Sequence, residues 1–353
     1  MSYVNEIIGS LLGKIMFSCY QLFDNYGLAI IAFTIITKVI LIPISIWIHK
    51  NSIKIVKIQP KINFIKAKYF RNNDKIADEQ SNLYKEVGYN PFANIIPLVI
   101  QILLLIGVIH VIYHPLDYLL NLEGPVIEEL VNQTIALTNI DSTNSAIQLK
   151  VIEAVKNPTF SDAFSSLQTQ IPDFDIHEII VKITSLNVKF LGLNLIWIPI
   201  SENGFLYAVP IIAGFFAWLL SFIQNRINVL QSEQGRFNQY FTMSLSVGLS
   251  LYLGLFVPLG VALYWIIRNV LGIIQLLVLN LVINPKRFID YEALEESKVK
   301  LDKLRKFNSD NMKNKSKLEK KREREDYNRF FSIANKHLVF YSEGNGYYKY
   351  FKN

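Results

Sequence analysis

The chain has almost no cysteine, and its apolar runs contain no acidic residue. A single cysteine, Cys19, occurs among 353 residues, which excludes a disulfide framework and a thiolate metal site. The first residues carry no basic cluster, so we expect no cleavable signal peptide. The sequence shows no nucleophile elbow, phosphate-binding loop or pair of catalytic carboxylates, and it therefore gives no sign of an enzyme.

Five apolar runs are each long enough to cross a bilayer as a helix. They fall at 27–48, 92–113, 205–225, 240–257 and 259–283. The last two are separated by a few residues only, which predicts a tight hairpin. Residues 3–23 alternate apolar and polar positions with a helical period, and such segments lie in the membrane interface. The sequence therefore predicts an all-α membrane protein with five spans after an amphipathic helix.

Charge differs strongly between the segments that connect these runs. Residues 50–91 carry nine Lys and Arg against four acids, and residues 284–353 carry eighteen against eleven. Residues 114–204 carry four Lys against eleven acids. Because basic segments stay on the cytoplasmic side, we expect the N-terminus and 114–204 outside the membrane and the tail in the cytoplasm.

The connecting segments also carry helix signals. Residues 50–91 predict a cytoplasmic helical hairpin that stops at 88–91, because Gly and Pro follow helix ends. The outer segment predicts short helices near 125–137, 143–156, 161–169 and 175–186. In the tail, 291–331 predicts a charged helix and 336–353 predicts a strand with a glycine turn.

Two cations lie inside the apolar runs. A cation at mid-membrane depth costs roughly 2.5–3.5 kcal/mol on insertion scales, so it is kept where it faces protein, water or an anion. On a helical wheel Lys38 shares one arc with neighbouring hydroxyls, and Arg268 shares another with Trp265. The polar residues that we expect to line a shared site are Thr34, Thr37, Lys38, Ser45, Gln101, Gln224, Trp265, Arg268 and Asn269. Asn94 is a further polar position in the second run.

The polar arcs on these predicted helices have two interpretations. One is a wet cavity within the membrane, and the other is a dry bundle in which polar side chains bond one another. Two unpaired cations fit an anion pore, a lipid-headgroup site or a site for acidic peptide segments. A transporter is expected to show two related halves, and none is visible. For His110 and His114, four residues apart, we favour a hydrogen-bonded pair over a metal site.

Eight segments of the chain, in order, match one known pattern. They lie at 26–43, 58–62, 83–86, 90–101, 190–194, 210–214, 222–224 and 256–269. As an ordered set they resemble the YidC/Oxa/Alb membrane protein insertase family, over most of 3–120 and 187–287. The resemblance implies a five-transmembrane-helix insertase core in a bacterial plasma membrane, with no cofactor.

The resemblance also implies an organisation of the chain. The expected parts are an interfacial helix (1–25), two spans with the cytoplasmic hairpin (26–120, hairpin 50–91), an extracytoplasmic helical insert (121–186), three further spans (187–287) and a basic cytoplasmic tail (288–353). The insert and the stretch 336–353 have no counterpart in the family. Lys38 stands where the family usually has Arg, and Arg268 adds a second cation.

A mechanism is implied as well. In this family a cation sits in a hydrophilic groove that opens to the cytoplasm and the lipid. By similarity Lys38 is that cation, and Gln224 and Trp265 line the groove. The acidic or polar tail of a nascent membrane protein is drawn in, and its apolar segment then enters the lipid bilayer without nucleotide hydrolysis. The ribosome, through the basic tail, and the Sec translocon are further implied partners. The alternative function is a small anion or lipid transporter that uses Lys38 and Arg268.

Overall fold

A computed structural model of the chain describes residues 2–69, 72–90, 96–202, 204–227, 236–343 and 346–351. These residues form helices and two short two-stranded sheets, in agreement with the helical class that the sequence predicts. The chain forms two compact units. The first is Met1–Val56 with Gly88–Phe288, and the second is Lys57–Val87 with Ile289–Asn353.

The helices, in chain order, are α1 (Ser2–Phe23), α2 (Tyr26–Ile40), α3 (Ile42–Lys68), α4 (Asn73–Glu86), α5 (Ile96–Tyr113), α6 (Pro115–Tyr118), α7 (Gly124–Thr138), α8 (Ile147–Val155), α9 (Ser161–Ser165), α10 (Ile176–Ser185), α11 (Ala208–Ile227), α12 (Arg236–Phe256), α13 (Leu259–Val282) and α14 (Tyr291–His337). The strands are β1 (Lys189–Phe190), β2 (Leu193–Asn194), β3 (Leu338–Glu343) and β4 (Gly346–Phe351). Strand β1 pairs antiparallel with β2, and β3 pairs antiparallel with β4.

Each of the five apolar runs contains a helix. Within the described residues, Phe205–Ile227 and Leu259–Phe288 are long and apolar enough to cross a membrane. Helices α2 and α3 add a third span when the bent pair counts as one, and Val99–Tyr113 is a shorter apolar helix. Helix α12 occupies the fourth run. The set of five complete spans remains a prediction.

The first run is bent, whereas the sequence predicted one straight helix over 27–48. The axes of α2 and α3 differ by 48° at the break. Pro43, in the first turn of α3, has no backbone N–H, and its ring clashes with the carbonyl four residues earlier. This explains why the helix breaks here. Helix α3 then continues to Lys68, so no helix end marks the predicted start of the hairpin at residue 50.

Helix α13 is central to the first unit, where it packs against α2, α5, α11 and α12. Helix α1 packs against α2 and α5 and buries Leu12 and Met16. The contact with α5 is close, since a Cβ at Gly9 would lie 2.8 Å from His110 Cδ2. Leu11 on another face of α1 is exposed, and the position of α1 in the membrane interface remains a prediction.

One end of the bundle is closed by the segment 187–197. The backbone N–H of Tyr26 donates to the Asn187 carbonyl at 2.9 Å. The backbone N–H of Leu259 donates to the Trp197 carbonyl, also at 2.9 Å. These N–H groups begin α2 and α13 and have no partner within their own helices. The segment therefore fixes both helices at the same end.

Short helices form the insert, as predicted. Helices α7, α8 and α10 lie close to the expected ranges, and α9 is flanked by single turns of 3-10 helix. Their buried residues include Leu130, Leu149 and Ile183. Gln148 joins this layer to α6, because its side-chain oxygen accepts from the Leu116 N–H at 3.0 Å.

The second unit combines the hairpin with the tail helix. Asn63 on α3 donates to the Ser297 hydroxyl on α14 at 3.1 Å, and both side chains are buried. Lys300 lies over the Phe64 ring, 5.0 Å from its centroid. Helix α14 ends at His337, six residues beyond the predicted end. Strands β3 and β4 follow where the sequence predicted a strand, and the residues between them lie outside the described ranges.

Candidate functional site

The two cations of the apolar runs lie at similar depth in the bundle. Lys38 comes 12 residues after Tyr26, where α2 begins. Arg268 comes 9 residues after Leu259, where α13 begins. At 1.5 Å per residue, about 18 Å and about 14 Å of helix separate them from the closed end. Because the hydrocarbon core is about 30 Å thick, a spanning bundle places both cations near its middle.

Lys38 is half-buried and has a neutral partner. Its Nζ donates a hydrogen bond to Gln275 Oε1 at 3.4 Å. It also lies beside Gly272, where a Cβ would be 3.9 Å from Nζ. The same Cβ would be 3.3 Å from Leu220 Cδ2 on α11. Helices α2, α11 and α13 therefore meet around the ammonium group.

Arg268 is the second charge at this site, and it acts electrostatically on Lys38. Among the residues that the structure describes, neither cation forms an ion pair with a carboxylate. Arg268 instead lies over the Trp265 ring, with 5.3 Å from its guanidinium carbon to the ring centroid. Like charges without a counter-ion favour an environment that admits water or an anion.

Trp265 is held by the neighbouring helix. Its Nε1 donates to the Ser250 hydroxyl at 2.8 Å, and this bond is buried between α12 and α13. The Ser250 hydroxyl donates in turn to the Ser246 carbonyl at 2.8 Å. The indole N–H is thus already satisfied, and what Trp265 offers the site is its ring.

The hydroxyls predicted to line the site bond to their own helices. Thr34 and Thr37 are buried, and each donates to a carbonyl four residues earlier, at 2.6 and 3.0 Å. Ser45 makes the same kind of bond at 3.0 Å. It lies on α3, beyond the bend, and its place in the site remains a prediction.

Three amide side chains were also predicted to line the site. Gln224 follows Leu220 by one helical turn and so shares the face of α11 that meets α13. Asn269 is buried, and its Nδ2 has no hydrogen-bond partner within the described ranges. Gln101 is half-buried on α5, and in the described residues no side-chain hydrogen bond joins it to Lys38. Asn94, a fourth amide in the runs that was not among the predicted lining residues, lies outside the described residues.

Gln275 and Ser250 contribute to the site but were not predicted from the sequence. Gln275 follows Arg268 by seven residues, which is two helical turns, so the polar arc of α13 extends to it. Extending that arc would have identified it. Ser250 carried no comparable signal, because α12 shows only scattered hydroxyls among its apolar residues.

An aromatic stripe marks the outer face of α11. Phe215, Trp218 and Phe222 follow one another at 6.0 and 5.4 Å between ring centroids. All three side chains are exposed in the isolated chain. Arg226 ends the stripe, with its guanidinium carbon 5.1 Å from the Phe222 centroid. Leu220 lies on the opposite side of α11, so the stripe is an apolar surface that faces away from the helix junction.

The histidine pair is a packing feature in this structure. The rings of His110 and His114 lie 4.2 Å apart between centroids, and His114 Nδ1 lies 2.7 Å from the His110 carbonyl oxygen. Tyr118 contacts His110 edge-on. Across the described ranges, no group of three potential metal ligands includes them. These contacts agree with the expected hydrogen-bonded pair.

Comparison with known proteins places this arrangement in a family. The family model described as "60Kd inner membrane protein" matches residues 18–286. The chain belongs to this family. It is the YidC/Oxa family that the eight ordered segments indicated. The matched range includes every residue predicted to line the site, whereas the basic tail lies beyond it.

Named relatives of the family agree with this assignment. The chain is 41% identical over 87 residues to "Membrane protein insertase YidC" of Clostridium tetani, which is 25% of this chain and 40% of that protein. It is 23% identical over 273 residues to "Membrane protein insertase YidC 1" of Streptococcus pyogenes, 75% and 69% of the two chains. It is 22% identical over 302 residues to "Membrane protein insertase YidC 2" of Listeria innocua, 84% and 78%.

The extent of these matches differs. The match to the Clostridium tetani protein covers less than half of that protein's length. The family match and the apolar helices together indicate a membrane-integral bacterial protein.

Proposed function

We propose that this protein is an insertase of the bacterial plasma membrane, which receives nascent membrane proteins in a cation-bearing groove and releases their apolar segments sideways into lipid. The observation that carries the proposal is the position of Lys38. Its ammonium is half-buried in the bundle and bonds to the neutral Gln275. Arg268 supplies a second positive charge at similar depth in the bundle.

Electrostatic attraction supplies the first step. An acidic tail that enters the groove gains from two positive charges that no described carboxylate neutralises. Such attraction is stronger inside a bundle than in water, because the effective dielectric constant is lower. Asn269 and Gln275 place amide groups beside the cations, where they can hydrogen-bond a polar segment. The groove thus lowers the cost of bringing a polar tail to mid-membrane depth.

Burial of the substrate's own helix supplies the second step. Apolar surface that leaves water contributes about 25 cal/mol per Å². Summed over the surface of a whole transmembrane helix, this free energy far exceeds that of a single ionic contact. The aromatic stripe on α11 gives the departing segment an exposed apolar surface to follow. No chemical step or nucleotide is needed.

The orientation follows from charge. With the N-terminus outside, the closed end at 187–197 faces the exterior and the groove opens toward the cytoplasm. The basic hairpin and tail of the second unit then lie in the cytoplasm, where they would receive nascent chains and contact ribosomal RNA through phosphates. Helix α1 lies at the outer interface. The Sec translocon is a further proposed partner.

Reconstitution tests the proposal. Liposomes that contain the wild type should insert a small single-spanning substrate with an acidic tail. We expect Lys38→Ala to insert it at least about tenfold more slowly, a loss of about 1.4 kcal/mol, and Lys38→Arg to retain activity because the charge is kept. Full activity of a Lys38→Ala, Arg268→Ala double variant would overturn the electrostatic mechanism.

The same liposomes distinguish the alternative function. Efflux of a trapped small anion, or movement of a labelled lipid between leaflets, would be measured without any substrate protein. An insertase is expected to leave both at the background rate. Efflux or lipid movement that depends on Lys38 and Arg268 would favour the transporter.

A further inference from the structure

A cavity of about 590 Å³ lies in the first unit, away from the groove. Its walls come from the ends of α8 and α10 and from the segment that closes the bundle. It is lined by Asp24, Glu153, Lys156, Thr184, Ser185, Leu186, Asn187, Val188, Lys189, Asn194, Ile196 and Trp197. The groove mechanism uses none of these side chains.

The cavity lies at the level where two candidate spans begin. Asn187 and Trp197, both in its wall, accept hydrogen bonds from the first N–H groups of α2 and α13. The surroundings are apolar and exposed, since Leu191 at the β1–β2 turn is 85% exposed and Trp197 is 37% exposed. Exposed Trp at a helix end is typical of the membrane–water interface. The cavity is therefore at headgroup depth.

Two lysines give the cavity its chemistry. The Lys156 Nζ donates to the Leu186 carbonyl at 2.5 Å, which holds the ammonium at the wall with two donors to spare. Burial, and then the charge of Lys189, lowers the pKa of Lys156. Within the described ranges neither lysine has a carboxylate partner. The carboxylate of Glu153 is engaged by Lys150 at 2.7 Å.

An anion between the two lysines would relieve their repulsion. The hydroxyls of Thr184 and Ser185 and the amide of Asn194 offer further hydrogen bonds to its oxygens. Asp24 also lines the cavity. Because its carboxylate repels anions, an anion with one delocalised negative charge fits better than a multivalent anion. A phosphodiester has one negative charge and free oxygens for several donors, and lysine binds phosphate as a point charge.

We propose that this cavity binds the phosphate of a phospholipid headgroup from the leaflet at the closed end of the bundle. The acyl chains of that lipid would run along the apolar surface next to Trp197. The site would fix the insert and the closing segment to the membrane surface. It needs α2 and α13 to cross the bilayer, but it does not depend on insertion activity.

A binding measurement on the full-length chain in a maltoside detergent tests the proposal. The probe is dihexanoyl-phosphatidylglycerol below its micelle concentration, followed by isothermal titration calorimetry. Dihexanoylglycerol, which has no phosphate, and inorganic phosphate are titrated in parallel. We expect saturable binding of the phospholipid and weaker binding of both other probes. A Lys156→Gln, Lys189→Gln double variant should bind the phospholipid about tenfold more weakly or worse, since two charge-assisted hydrogen bonds are lost.

Matched variants separate charge from folding. Lys156→Arg with Lys189→Arg should retain binding, because both charges remain. Lys182→Gln with Lys300→Gln removes two exposed lysines that do not line the cavity, and it should leave binding unchanged. Equal affinity of all variants, or equal binding of dihexanoylglycerol, would overturn the proposal. Inorganic phosphate that binds as tightly as the phospholipid would show a free-anion site, and an acidic peptide that binds in place of the lipid would show a peptide site.

Discussion

The Lys38 ammonium lies 3.4 Å from the side-chain oxygen of Gln275, in a contact between α2 and α13. Because this partner is neutral, it does not cancel the positive charge of Lys38. A carboxylate at the same position would neutralise the ammonium, and an apolar side chain would leave it without that bond. Gln275 holds the ammonium in place while its positive charge stays available to a substrate.

We predict that Gln275→Glu inactivates the groove. The two side chains are nearly the same size, but the carboxylate would pair with Lys38, and opposite charges about 4 Å apart attract by about 4 kcal/mol at an effective dielectric constant of 20. Insertion of an acidic-tailed substrate into liposomes should fall at least about tenfold.

Gln275→Leu is the matched control, because it removes the hydrogen bond and keeps the net charge. It should lower insertion less than Gln275→Glu does. If the two variants insert equally well, the charge at Lys38 is not what attracts the substrate.

We expect the hydrogen bond between Trp265 and Ser250 to stabilise the folded protein. Ser250→Ala leaves a buried indole N–H without a partner, which costs about 1–3 kcal/mol. The thermal unfolding midpoint of the detergent-solubilised protein should fall. Ser244→Ala removes an exposed hydroxyl from the same helix and should leave the midpoint unchanged. A midpoint for Ser250→Ala equal to the wild type would mean that water or another group satisfies the indole.

We expect a larger residue at position 27 to disturb the packing at the closed end of the bundle. A Cβ at this position would overlap the Phe190 ring, and overpacking typically costs about 1–3 kcal/mol. Gly27→Ala should therefore lower the unfolding midpoint. Gly248 has open space around it, and Gly248→Ala should be neutral or stabilising, since Ala favours a helix interior over Gly by about 0.5–1 kcal/mol. Equal midpoints for the two variants would contradict the close contact.

The aromatic stripe predicts where the departing segment lies. A photoreactive amino acid at Ile211 or Phe215, both exposed on α11, should cross-link to the apolar segment of a ribosome-bound nascent chain. The same probe at Leu11 on α1, which is equally apolar and exposed, should not. Cross-linking at Leu11 alone would place the exit path on another side of the bundle.

Much of the fold could be predicted from local patterns. The helices could be located from apolar runs, helical periods and the Gly and Pro residues at their ends. Pro43 lies in the first run, but the bend that it causes was not predicted. The bend depends on whether neighbouring helices favour a break at a proline, and the sequence of one helix does not contain that information. Strands β1 and β2, which pair with each other, were not predicted, because two residues are too few to show an alternating pattern.

The candidate site was predictable in part. Lys38 and Arg268 were identified because placing a charge inside the membrane costs free energy, and such residues are therefore usually functional. The bond from Lys38 to Gln275 depends on how α2 and α13 pack, which periodicity alone does not define. Ser250 could not be recognised, since a serine in an apolar helix usually bonds its own backbone.

The most direct test of the account measures whether the charge of Lys38 brings an acidic tail into the bundle. A photoreactive amino acid replaces Leu41, about one turn from Lys38, and stalled nascent chains are presented with an acidic or a neutral tail. The account predicts strong cross-links to the acidic tail with Lys38 or Lys38→Arg, and weak ones with Lys38→Ala or the neutral tail. Cross-links of equal strength in all four cases would contradict it.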